Sequence, residues 1–282
     1  MRRRLGLFAL GTGLLLALWS LGAIVFNAQI ILPGPWLVLP AFWQLLISPG
    51  FAAILGASAL RVLLAISIAL PLATLVGVLA GLRPRIYDVL RPGFALIAAT
   101  PVLSIILIAF FIFGQEGTPV FSAFLIVFPI VSQAAMGAIA QVDEKLQEMA
   151  RVFRLSRRAR FRYLYLPALV PSLLSGLRAA LALSWKVVVA AEVLIQPLRS
   201  LGRGMYQAKM NLETAELFAW TIATVFFAGL SEAAIPLVQR LTRIAQKIWQ
   251  VDVYRPRASA PSLFEQGSVP ASLEFTAIDF SW

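Results

Sequence analysis

Four ionisable side chains stand inside long apolar stretches of this sequence: Arg178, Lys186, Glu192 and Glu232. A fifth, Arg61, stands at the mouth of another. Ionisable groups at membrane depth are costly, and such groups are functional candidates. Histidine and cysteine are both absent. That removes Ser–His and Cys–His nucleophiles, disulfide frameworks, and zinc sites built on Cys or His. Two acids at depth, Glu192 and Glu232, are few for a membrane-embedded enzyme. What the set can do is carry or attract charge. Lys186 has two readings: it faces a translocation path for an anion, or it pairs with Glu232, pairs with Glu192 of a second copy, or snorkels outward. Trp185, beside it, is a second path candidate. Arg178 reads as structural.

The elements that hold these groups are membrane spans. Of 282 residues, 60% are hydrophobic and 13% charged, and the mean hydropathy is +0.85. A soluble domain is about 45–50% apolar and about 25% charged. A bilayer core of about 30 Å needs about 20 helical residues. Six stretches qualify, at about 5–26, 62–82, 94–113, 120–140, 168–195 and 217–238. The first reads as an uncleaved anchor, since its apolar run exceeds a signal-peptide core. Counted from Pro171 at about 1.5 Å per residue, Lys186 lies about 22 Å along span five and Glu192 about 31 Å. Glu192 therefore sits near the far face.

Basic residues set the orientation. With the N-terminus in the cytoplasm, eighteen of the 24 Lys and Arg fall inside and three outside, at Arg199, Arg203 and Lys209. That is a strong positive-inside bias and places both termini in the cytoplasm. It also accounts for most of the net charge of +11, which in a soluble chain would point to nucleic acid; no nucleic-acid partner is expected. Outside, Pro33, Pro35, Pro40 and Pro49 break 31–51 too often for a span, leaving a short surface helix near 37–47. Gly114–Pro119 reads as a tight outer turn, and 205–216 as a polar helical run.

The most informative segment is the inside connection 142–167. Asp143 caps a first short helix that runs to about Phe153. Leu146, Met149, Ala150 and Phe153 make its apolar stripe. Ser156 caps a second helix, which carries four arginines and presents Phe161 and Leu164. A stripe this apolar on a connecting loop suits helix-in-groove docking on another protein.

From Glu148 to Pro167 the segment resembles the EAA loop of ABC importer permeases, the binding-protein-dependent inner-membrane components. Glu148, Ala150, Leu166 and Pro167 match that pattern with its gap intact. Pro171, Gly176-Leu177-Arg178, Trp185, Ala190-Ala191-Glu192, the Leu32-Pro33-Gly34-Pro35 run and Arg61 resemble the nitrate/sulfonate/taurine branch. The resemblance covers about Leu5–Arg243. Met149 replaces a small apolar residue. Arg154 replaces the family glycine between the two short helices, so it either adopts φ > 0 at a cost of about 1–2 kcal/mol or the turn is built differently.

The resemblance implies an all-α membrane protein with six transmembrane helices, in the bacterial plasma membrane. It implies that Glu148, Ala150, Arg154, Ser156, Phe161, Leu166 and Pro167 couple the chain to a cytoplasmic ATPase subunit. It further implies an external substrate-binding protein, a second permease copy and surrounding lipid as partners. The substrate would be a small solute, an anion such as a sulfonate or nitrate or else a vitamin precursor. Glu192 would order the outer gate or helix pairing. No phosphate loop of the Gly-x-x-x-x-Gly-Lys-Ser/Thr type is present, so the chain binds no cofactor itself, and ATP and Mg belong to the partner. A stand-alone secondary transporter or channel is the alternative, but it gives the 142–167 segment no purpose. The permease domain is expected over 1–250 and a flexible tail over 251–282. In that tail, 255–270 reads as a linker and 272–282 as a strand-like segment, resembling the opening strand of an ABC ATPase domain.

Overall fold

The computed structural model describes residues 2–253, with side chains over 6–236. The tail linker and strand-like segment lie outside the described residues. Met1–Gln239 form one compact unit, and the described part of the second unit, from Arg240, is helical to Val253. No strand occurs among the described residues. Five helices are long and apolar enough to cross a membrane.

The helices are α1 (Arg2–Phe26), α2 (Pro35–Ile47), α3 (Phe51–Leu82), α4 (Pro84–Ala99), α5 (Val102–Ala140), α6 (Glu144–Val152), α7 (Arg157–Arg160), α8 (Leu166–Ile195), α9 (Leu201–Met210) and α10 (Thr214–Val253). A π-helical turn, Phe161–Tyr165, joins α7 to α8. Proline opens α2 and α4, where a missing N–H costs nothing. The short surface helix near 37–47 is α2, two residues longer at its start.

The 39-residue α5 is a hairpin. Gly114 breaks it with φ 63° and ψ −169°. The rings of Phe113 and Phe121 stack at 4.4 Å, whereas eight residues of straight helix would separate them by about 12 Å. Phe94 and Phe128 also meet, at 6.2 Å. The chain therefore folds back at one residue, and the stretch that length and composition count as one span is two arms. The expected outer turn over Gly114–Pro119 shrinks to Gly114, after which helix resumes at once, with the Thr118 hydroxyl donating to the Gly114 carbonyl at 2.6 Å.

Four expectations need correction. The connection between the expected spans 62–82 and 94–113 is not a loop but the first part of α4. The third span, expected unbroken over 94–113, is interrupted at Thr100–Pro101 because proline cannot continue α4's hydrogen-bond ladder. Helix α3 starts at Phe51 rather than near 62, so Arg61 lies well inside it. The second short helix of the 142–167 segment does not stop before span five. Residues Arg157–Ile195 form one unbroken helical run of 39 residues. Its π turn falls where Pro167 would otherwise clash with the preceding turn. Widening to the Leu166 N–H···O=C Phe161 bond makes room for the ring.

The second arm of α5 packs between α3 and α8. Small residues allow this close approach. A Cβ on Gly77 would stand 2.3 Å from the Ser132 carbonyl oxygen of α5. Across the other face, a Cβ on Gly176 would stand 2.7 Å from Ala134 Cβ, and the Ser172 hydroxyl donates to the Ala134 carbonyl at 2.8 Å. Val62, Ala65, Ala69, Ala73, Ala123, Val127, Val131, Ala180 and Val188 fill the shared core. Helix α1 is held by the Trp19 indole N–H, which donates to the Pro33 carbonyl at 3.0 Å, and by stacking of Trp19 on Phe218. The Leu32–Pro35 run thus anchors α1.

Candidate functional site

Two functional regions lie at opposite ends of α8. At its start is the 142–167 segment. Asp143 caps α6 by accepting from the Lys145 N–H at 2.9 Å, and Ser156 caps α7 by accepting from the Ala159 N–H at 3.2 Å. Both caps are where the sequence puts them. The turn between the helices is a complete Schellman motif: the Leu155 N–H donates to Ala150 O and the Arg154 N–H to Arg151 O, each at 3.0 Å. Arg154 takes φ 49°. Arginine therefore occupies the left-handed position that glycine fills without strain, and the turn keeps its ordinary construction.

The apolar stripe of α6 divides. Ala150 is buried, while Val152 is 77% and Phe153 72% exposed, with Leu146 and Met149 also open. Glu148 is exposed and makes no hydrogen bond or ion pair within the described residues. Phe161 reaches a cavity of about 450 Å³ whose other walls are Leu70, Pro71, Thr74, Leu75 and Val78 of α3 and Leu169 of α8. Leu166 and Pro167 are exposed at the start of α8.

At the far end of α8, Glu192 is wholly buried at 0% exposure. Its Oε1 accepts from Arg61 Nη1 at 2.9 Å. Its Oε2 accepts from the Ser58 hydroxyl at 2.9 Å and from the Gly202 N–H at 3.2 Å. Ser58 in turn accepts from the Leu201 N–H at 3.0 Å. Arg61 Nη2 meets Glu116 Oε2 at 2.5 Å, and Glu116 Oε1 accepts from the Leu198 N–H at 3.1 Å. The two ends of the guanidinium also donate to the carbonyls of Arg199 at 3.3 Å and Leu198 at 3.2 Å. Gly202 has no room for a side chain: a Cβ there would lie 2.3 Å from the Val193 nitrogen and 2.5 Å from Glu192 Cβ. This clamp joins α3, the tip of the α5 hairpin, α8 and α9.

The path candidates separate. Glu192 is turned inward and fully engaged. Trp185 is buried, its indole N–H donating to the Ser231 hydroxyl of α10 at 3.0 Å. Lys186 is exposed and makes no hydrogen bond or ion pair within the described residues, so within one chain it pairs with neither Glu192 nor Glu232. It stands on an open stripe of α8 with Ala179, Leu183, Ala190 and Leu194. Arg178 is exposed on the same helix. No group of His, Cys, Asp or Glu among the described residues has the grouping a metal needs.

Sequence reasoning missed Ser58, Glu116 and the Arg61–Glu192 pairing. The pairing had a signal. Arg61 and Glu192 are opposite charges at the same end of their spans, and burial of either demands a partner.

A helical bundle with five membrane-length apolar helices, an open amphipathic helix at one end and an internal clamp at the other has the build of a multi-pass membrane permease. The family profile described as "binding-protein-dependent transport system inner membrane component" matches residues 69–243. Among curated relatives, the nitrate import permease protein NrtB of Synechocystis sp. is 32% identical over 201 residues, covering 66% of this chain and 71% of its own. The taurine transport system permease protein TauC of Escherichia coli is 28% identical over 233 residues, covering 80% and 84%. The bicarbonate transport system permease protein CmpB of Synechococcus elongatus is 31% identical over 169 residues, covering 59% and 57%. The chain belongs to this family of ABC importer inner-membrane permeases, in the nitrate/sulfonate/taurine branch. It is a permease subunit of a bacterial inner-membrane importer, not an enzyme, and ATP hydrolysis is the work of a separate ATPase subunit.

Proposed function

We propose that two copies of this chain form the translocation path of an ATP-driven importer for a small anion. An external binding protein delivers the solute. Two cytoplasmic ATPase subunits, which hold ATP and Mg, drive the two copies between outward- and inward-facing states. The 142–167 segment docks in a cleft of each ATPase. The observation that carries the reading is the open apolar stripe of α6, followed by a helix that continues without a break from α7 into α8. A groove-binding helix rigidly joined to a membrane span is suited to transmit closure of a partner. Lys186 supports the anionic substrate. It is a free cation on an open helix face flanked by small residues, and the relatives are named for nitrate, taurine and bicarbonate.

Glu148→Arg tests the docking. It should leave insertion intact and reduce co-purification of the ATPase by about tenfold or more, as expected for reversing a charge at a docked interface. Normal co-purification and transport would remove the reading. Lys186→Met tests the path: transport should fall while the ATPase remains bound. Loss of assembly instead would make Lys186 structural.

A further inference from the structure

One guanidinium in the clamp serves two carboxylates of opposite character. Glu192 has no exposed surface, whereas the Glu116 side chain is 62% exposed. Removing Glu192 would leave the buried Arg61 Nη1, the Ser58 hydroxyl and the Gly202 N–H without their shared acceptor. Releasing Glu116 would leave a neutral, hydrogen-bonded Arg61–Glu192 pair and return a carboxylate to water. A buried arm of an ion pair is hard to break, and an exposed arm contributes little and opens readily.

The segment that depends on Glu116 is the connector between α8 and α9, residues 196–200. Two of its non-glycine residues, Gln196 and Arg199, are left-handed, with φ of 55° and 52°. Such backbone persists where its surroundings over-determine it. Pro197 and Ser200 are buried, and the Ser200 hydroxyl donates to the Pro197 carbonyl at 3.1 Å, but the exposed pair Leu198–Arg199 between them has few partners. Glu116 accepts the Leu198 N–H, Arg61 donates to the carbonyls of Leu198 and Arg199, and the Gln115 side chain donates to the Ile195 carbonyl at the connector's start, at 3.1 Å. Gln115 and Glu116 both sit on the hairpin tip, directly after the single reversal residue Gly114. A Cβ on Gly114 would meet nothing within 4 Å, so the tip has space around its pivot.

We propose that Glu116 is a releasable latch, a positioning residue that holds the 196–200 connector through Arg61 and the Leu198 N–H and lets it go during the transport cycle. The Arg61–Glu192 pair is the fixed half of the device. The hairpin tip is the half that moves. Helix α8, which ends in this connector, begins in the segment proposed to dock on the ATPase, so the nucleotide dependence of the latch rests on that reading, while the latch geometry does not.

Limited trypsin digestion reads the connector directly, because Arg199 lies in it and is exposed. The protein is the full chain in lipid nanodiscs, alone and with its ATPase. In the nucleotide-free complex the wild type should be cut slowly after Arg199. Cleavage of a transiently opened segment follows the population of its open form, so Glu116→Gln should raise that rate by about fivefold or more. Cleavage after Arg85, which is exposed at the start of α4, should be unchanged, and Asp88→Asn, an exposed carboxylate on α4, should behave as wild type. Arg61→Lys should also release the connector, since an ammonium lacks the fork that spans both anions. Trapping the complex with ATP and vanadate should raise cleavage in the wild type but not further in Glu116→Gln, a response that a purely structural residue would not show. Equal cleavage of the Glu116→Gln variant and wild type in the chain alone overturns the latch, whether or not the ATPase binds. A latch that responds to Glu116→Gln but not to nucleotide, in a complex that does assemble, overturns its role in the cycle. Failure of the ATPase to bind the wild type counts against the docking reading alone, and the digestion of the isolated chain still decides the latch.

Discussion

The two ends of α8 solve opposite problems. At the clamp, each charged member has its partner within the chain: one arginine, two glutamates, a serine and five backbone groups close on one another. At the 142–167 end, charge and apolar surface are left open. The basic side chains of Lys145, Arg151, Arg154, Arg157 and Arg158, an unpaired Glu148 and the exposed faces of Val152 and Phe153 find no partner among the described residues. Satisfied polar groups inside one chain hold a fold together. Apolar stripes and charges that the chain leaves unsatisfied imply a second molecule. The same helix therefore carries a structural end and an interface end, and perturbations should sort by which end they touch.

The largest effect belongs to the clamp. Glu192→Ala removes the buried acceptor of Arg61, Ser58 and the Gly202 N–H, and breaking a buried pair by one partner costs about 3–5 kcal/mol. The thermal midpoint of the purified permease should drop sharply or the protein should fail to accumulate; a midpoint near wild type would show that the clamp is not structural. Gly202→Ala comes next. Its Cβ has backbone for a neighbour rather than a movable side chain, and overpacking of this kind costs about 1–3 kcal/mol. Arg154→Gly, at the open end, should go the other way. It removes a left-handed arginine and should stabilise the α6–α7 turn by about 1 kcal/mol or less, the relief being offset by glycine's freedom in the unfolded chain. Slower hydrogen exchange across 150–156 would report it. The docking variant Glu148→Arg should move the midpoint least, within about 0.5 kcal/mol, because the residue is a solvated surface group in the free chain. A large destabilisation there would erase the contrast between the two ends.

Local chemistry was the most legible part of the sequence. Apolar length marked the spans, Asp143 and Ser156 marked the caps, and the position of Arg154 marked one left-handed turn, though not those at Gln196 and Arg199. These signals are read within a few residues. The clamp was not legible in that way, because, Glu192 and Gly202 apart, its bonded members are separated by 55 to 143 residues and meet only through tertiary packing. The break at Pro101 had a local signal in the proline itself. The unbroken joint between α7 and α8 did not, since Pro167 argues for a stop and only the π turn shows how the helix accommodates it.

Arg61 and Glu192 are 131 residues apart in the chain, and that separation is also an interval in time. Synthesis at about 5–20 residues per second leaves about 7–26 s between the appearance of the cation and that of the anion it pairs with. Glu116, 55 residues after Arg61, supplies a first carboxylate earlier, but until Glu192 appears α3 carries an arginine without its buried partner. Arg61 lies ten residues from the start of α3, so its long side chain can reach the near interface while it waits. The first turns of α3 therefore belong to the interface during biogenesis, and they enter their final depth only when span five arrives with its carboxylate.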